Sequence, residues 1–120
     1  MATLIDPDFR TRLRALNDKY AAGVPALMQA IADAHARCDT EGPRLAQLTA
    51  LHHALHAVAG SAATFGFATL GQECRRLEQL ARHLLNEPGN VLAEWPLLST
   101  HVGALLSWAA RDAAATHFSA

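Results

Sequence analysis

Residues that favour β-strands are scarce in this chain. Val and Ile together number six among 120 residues, and aromatics make up 6%. Strands select β-branched and aromatic side chains, so a sheet protein is excluded. Charge is scarce too, at 18% of residues with a formal net charge of -1. Nucleic-acid binding normally calls for a basic face, and nothing here supplies one. Cysteine is nearly absent. Cys38 and Cys74 stand far apart with no C-x-x-C pattern, too few for a disulfide framework or a zinc cage. Their expected role is that of small buried thiols. No uncharged run reads as a membrane span, because Gly, His and Gln47 break the nearest one, residues 45–71. A secretory leader is not expected either: Asp6, Asp8, Arg10, Arg12 and Arg14 interrupt the first residues. The expected setting is reducing and cytoplasmic.

What is abundant is Ala, with 26 residues, and Leu, with 18. These are among the best helix formers. A hydrophobic content of 51% with little net charge argues against disorder. The length suits one domain, residues 1–120, burying ~65–68% of its unfolded surface. The expectation is a compact all-α domain.

Asp6-Pro7 reads as a helix start, with Asp as cap and Pro in the first turn. Phe9, Leu13, Leu16 and Tyr20 then recur at helical spacing. Gly23-Val24-Pro25 interrupts the pattern, and Pro25 either begins a second helix or kinks one long helix. Leu27, Ile31 and Ala34 carry the stripe on to about Arg37, and Asp39 to Pro43 form a turn. A helix over about 44–65 follows, with apolar positions Leu48, Leu51, Leu55, Val58, Ala62 and Phe65. Gly66 suits a left-handed stop. The next helix spans about 68–85, with Leu70, Cys74, Leu77, Ala81 and Leu84 on its seam. After the turn Asn86 to Asn90, a short helical piece carries Val91, Leu92 and Trp95. Pro96 then opens a last helix with Leu98, Val102, Leu105, Trp108 and Ala109 inward. The tail from Ala115 is expected to fray. The sum is an antiparallel up-down four-helix bundle with an additional N-terminal helical segment.

The chemistry gathers in the central hairpin, about 44–85. Its turn centres near Gly66, which brings the level of His56 opposite residues 75 to 78. His56 follows Leu55, so it stands at the edge of the buried seam. Ala59, Gly60 and Ala63 share its face, and all are small. Gly inside a helix costs ~1 kcal/mol relative to Ala. A face cleared of side chains would let a partner protein reach the imidazole. Arg75 and Glu78 project from the facing helix. A carboxylate at one ring nitrogen holds the proton there and leaves the other nitrogen nucleophilic.

The run His56-Ala57-Val58-Ala59-Gly60-Ser61-Ala62-Ala63-Thr64-Phe65-Gly66-Phe67 resembles the signature of histidine phosphotransfer (HPt) domains. Its Thr64-Phe65-Gly66-Phe67 stretch is similar to the phosphotransfer domain of chemotaxis-type histidine kinases. Leu70, Cys74, Leu77 and Glu78 fit the family segment L-x-x-x-C-x-x-L-E. The resemblance implies that His56 accepts the phosphoryl group and that Glu78 orients its imidazole. Gly60 matches the small residue that opens the docking face, and Gly66 the interhelical turn. The family commonly has Lys three residues after the His, where this chain has Ala59. Arg75 could supply that charge from the facing helix. Partner docking is thus assigned to Ala59, Gly60, Ala63 and Arg75. The implied partners are response-regulator receiver domains, a sensor histidine kinase or both, met by a monomer that needs no cofactor. Mg²⁺ would belong to the receiver.

Three plainer readings stand beside this one. Glu78 could pair only with Arg82 or Arg75 along its own helix. His52 and His56 have metal-ligand spacing, but no E-x-x-H or H-E-x-x-H pattern accompanies them, so no metal is expected. Ser61 and Ser107 lack a base and its orienter, so hydrolase chemistry has no support. A non-transferring helical adaptor that docks a receiver or kinase domain is the functional alternative.

Overall fold

The computed structural model describes residues 7–119. Four helices carry the fold: α1 (Pro7–Ala36), α2 (Leu45–Ala59), α3 (Ala68–Asn86) and α4 (Val91–Asp112). Among the described residues there is no strand. Each helix packs on the next and α4 closes on α1, with α2 and α3 the tightest pair. Short connections make such neighbours antiparallel. The core takes Ile31 from α1, Leu48, Leu51, Leu55 and Val58 from α2, Leu70, Cys74, Leu77, Ala81 and Leu84 from α3, and Trp95, Leu98, Val102, Leu105 and Trp108 from α4. Each large apolar side chain so buried stabilises the bundle by ~1.5–3 kcal/mol. No described helix is long and apolar enough to cross a membrane.

Two prolines proved less disruptive than their sequence context suggests. α1 runs unbroken through Pro25, and α4 runs unbroken through Pro96. Val91, Leu92 and Trp95 belong to α4 itself, which follows a 3-10 turn over Pro88–Asn90. Each proline deprives the carbonyl four residues back of its donor. Ala21 and Leu92, the residues so deprived, are exposed like the prolines themselves, so water can serve those carbonyls.

The central hairpin also differs from the expectation. α2 ends at Ala59, not Phe65, and a 3-10 turn follows over Ala62–Phe65. Ser61 Oγ donates to the Ala57 carbonyl at 2.9 Å, a side-chain bond that competes with helix continuation. Gly66 then closes the turn at φ 93, the left-handed stop expected of it. Phe65 is half-buried and stacks on Tyr20 with ring centroids 4.9 Å apart.

The ends of the chain complete the picture. Residues 7–16 of α1 are exposed throughout, so Leu13 and Leu16 do not join the core as their spacing suggests. Phe9 is exposed as well. The Asp6 cap lies outside the described residues. The expected frayed tail instead folds back on α4 at His117 and Phe118. Trp108 Nε1 donates to the His117 carbonyl at 2.8 Å, and Phe118 meets the Trp108 ring edge-on at 5.4 Å. A buried indole N–H needs an acceptor, and the returning tail provides one.

Candidate functional site

His56 lies in the last turn of α2. Leu55 before it is wholly buried, whereas the His56 side chain is 62% exposed. Glu78 faces it from α3 and is buried at 4% exposure despite its charge. His56 Nδ1 stands 2.7 Å from Glu78 Oε1. An ionised carboxylate can only accept, so Nδ1 carries the proton and donates. In the neutral ring the lone pair then resides on Nε2. Burial alone would push the Glu78 carboxyl up. The hydrogen bond from His56 and the charges of His56, Arg82 and His52 outweigh it and hold the group below its ordinary 4.5.

Arg82 Nη2 also donates to Glu78 Oε1, at 3.0 Å along α3. The i,i+4 pairing and the contact with His56 therefore coexist on one oxygen. Arg75 does not pair with Glu78. Its Nη2 donates instead to the Ala59 carbonyl at 3.2 Å. That tether leans an exposed guanidinium across the C-terminal end of α2, just past His56.

His52 precedes His56 by one turn. Its ring is stacked on that of His56, with centroids 6.1 Å apart and planes 18° from parallel. Spacing marks it only as half of a metal pair. Among the described residues, no group of three His, Cys, Asp or Glu side chains is placed to hold a metal ion.

The small residues divide into two sets. Gly60 and Ala63 are exposed beside His56. Ala59 is buried at 5% exposure, which corrects its assignment to the docking face. It stands one helical turn after Leu55 and shares the seam phase. Gly60 is the αR C-cap of α2, not a helix-interior residue, so the interior penalty does not apply. A Cβ there would meet only the His56 carbonyl, at 3.5 Å. Packing inside the fold does not require a glycine at Gly60.

Two supports were not visible in the sequence pattern. The Tyr20 hydroxyl and Ser61 Oγ are 2.9 Å apart. Ser61 spends its proton on Ala57, so Tyr20 donates. With rings stacked on Phe65 and tilted on Phe67, Tyr20 ties α1 to the hairpin tip. Gly71 of α3 is buried, and a Cβ there would stand 3.3 Å from the Ala63 backbone nitrogen. Its missing side chain lets the 3-10 turn lie close on α3. The signal available was a Gly inside a helical stretch.

A bundle hairpin that presents one half-exposed imidazole backed by a buried carboxylate defines a class of histidine-bearing helical domains. The family model described as the Hpt domain matches residues 11–111. The chain belongs to the histidine phosphotransfer domain family. Hpt domains are phosphoryl carriers of phosphorelays, and they interact with receiver domains and kinases. No curated protein matches the chain, and no solved structure does.

Proposed function

We propose that His56 is the phosphoryl-accepting residue and that Glu78 orients it. The observation that carries this reading is the 2.7 Å contact between His56 Nδ1 and a buried carboxylate. It commits the ring proton to the inner nitrogen and leaves Nε2 available on an exposed side chain. In the forward step Nε2 attacks the phosphorus of a receiver's aspartyl phosphate. A P–N bond forms as the P–O bond to aspartate breaks, and the aspartate leaves as carboxylate with the electron pair. The imidazole gains positive charge as this happens. Glu78, ionised and fixed in place, lies against the Nδ1–H that shares that charge. Donation to a second receiver is the same step reversed.

Arg75, tethered one turn past His56, is a cation available to the incoming phosphoryl group. It takes the part that Lys at position 59 plays elsewhere in the family, held by the Ala59 carbonyl. Gly60 and Ala63 keep the adjoining surface low for the receiver. The receiver brings Mg²⁺ and the acidic pocket. On this reading the chain works as a cytoplasmic monomer and needs no cofactor of its own.

The test is His56→Gln with a phosphorylated receiver as donor. The variant should keep its helical circular dichroism and lose all acid-labile, base-stable label. Labelling equal to the parent chain overturns the assignment. A parent chain that binds receivers yet never takes label is an adaptor instead.

A further inference from the structure

His52 has no task in the phosphotransfer reading, and its surroundings are unusual. Its side chain is 14% exposed. Its Nε2 is sealed from water and has no hydrogen-bond partner. Buried polar atoms are nearly always paired, so an orphan calls for an explanation. The acceptor facing it is Glu78 Oε1, at 3.6 Å, beyond hydrogen-bonding distance. That oxygen already accepts from His56 Nδ1 at 2.7 Å and from Arg82 Nη2 at 3.0 Å. Two donors occupy the lone pairs of Oε1, and a third stands just outside them.

We propose that His52 is a positioning residue for His56: on taking up a proton it competes for Glu78 and loosens the hold on the His56 Nδ1–H. The inference rests on His56 and Glu78 being the phosphoryl-accepting pair. While neutral, His52 lies flat against His56 and leaves the carboxylate to it. Once protonated, both ring nitrogens are donors, and Nε2–H points at an anion. A charge-assisted bond of this kind closes to ~2.7–2.9 Å, a movement of less than an ångström. The carboxylate that turns toward His52 turns away from His56.

The groups around His52 set when this happens. Burial opposes its proton most strongly and lowers its pKa from the ordinary 6.5. Glu78 of α3 favours the proton, while Arg82 of α3 and His53 and His56 of α2 oppose it. His52 therefore stays neutral at neutral pH and titrates in acid. Acceptance by His56 then falls further in acid as His52 takes up its proton.

The experiment compares the full chain with His52→Phe, which keeps a flat buried ring without nitrogens, and with His52→Gln as a second non-titrating variant. Initial labelling rates are measured with the same phosphorylated receiver from about pH 8 to about pH 5. The donor's own pH dependence cancels in the ratio of variant to parent. That ratio should be near one at the alkaline end and rise in acid to a plateau of no more than roughly tenfold, the loss expected when the Glu78 charge is removed altogether. A ratio that stays flat overturns the proposal. The ¹³C shift of the Glu78 carboxyl, followed through the same range, needs no phosphoryl transfer. In the parent it should carry an inflection that coincides with the His52 titration and vanishes in both variants. Its absence from the parent also overturns the proposal. A parent chain that takes no label defeats the phosphotransfer reading, while the carboxyl shift still reports on His52.

Discussion

At the scale of single residues, three donors converge on one carboxylate oxygen. His56, Arg82 and the more distant His52 all face Glu78 Oε1. The negative charge matters more than the shape. Glu78→Gln keeps an acceptor oxygen but replaces a charge-assisted bond by a neutral one. The difference is about 1–1.5 kcal/mol, so acceptance by a receiver-charged assay should fall roughly tenfold with the fold intact. Stability should follow pH by the same group. Its folded value lies below the ordinary 4.5. The contribution is therefore present above that ordinary value and is lost as pH falls through the folded one. Urea midpoints measured from neutral pH downward should drop in the parent below about pH 4.5 and drop less in Glu78→Gln. The approach of Glu78 to His56 was legible in the sequence because the hairpin mirrors about Gly66, while the choice of His56 itself came from the family resemblance. His52 was not legible, since the carboxylate that gives it meaning sits on another helix.

At the scale of elements, the hairpin tip governs how the site is presented. Gly66 holds φ 93, and a Cβ there would touch nothing within 4 Å. Gly66→Ala thus tests backbone conformation without a clash. It should cost about 1–2 kcal/mol in chemical denaturation. A loss under ~0.5 kcal/mol would show that the turn relaxes freely. The end of α2 was the least legible boundary. Apolar spacing continues through Val58, Ala62 and Phe65 and does not reveal that Ser61 turns back onto the Ala57 carbonyl. The burial of Ala59 was missed in the same way. On a helix one residue is a step of about 100°, enough to move a methyl from surface to seam. The prolines misled in the opposite direction, because exposure of the deprived carbonyls is a tertiary fact.

At the scale of the whole molecule, the chain is elongated. It measures 59 × 27 × 22 Å with a radius of gyration of 16.6 Å, against ~13–14 Å for a compact chain of its length. The first turns of α1 take no part in the core, since nothing in residues 7–16 is buried. Periodicity showed that Leu13 and Leu16 share a helix face but not where the bundle stops. Leu16 is 53% exposed, whereas Ile31 further along α1 is 0% exposed. Leu16→Ser should change stability by less than about 0.5 kcal/mol. Ile31→Ala should cost about 2–5 kcal/mol. Thermal or urea unfolding of the two variants side by side checks the contrast, and equal losses would mean that the projecting turns belong to the core after all.

The short contact between His56 and Glu78 has a chemical consequence as well as an energetic one. Imidazole has two distinct nitrogens and so can form two isomeric phosphohistidines. With Nδ1 engaged by a buried carboxylate at 2.7 Å, one isomer is closed off. If His56 accepts the phosphoryl group as proposed, the adduct should be the τ-phosphohistidine alone, and the bundle would determine the regiochemistry of its own modification.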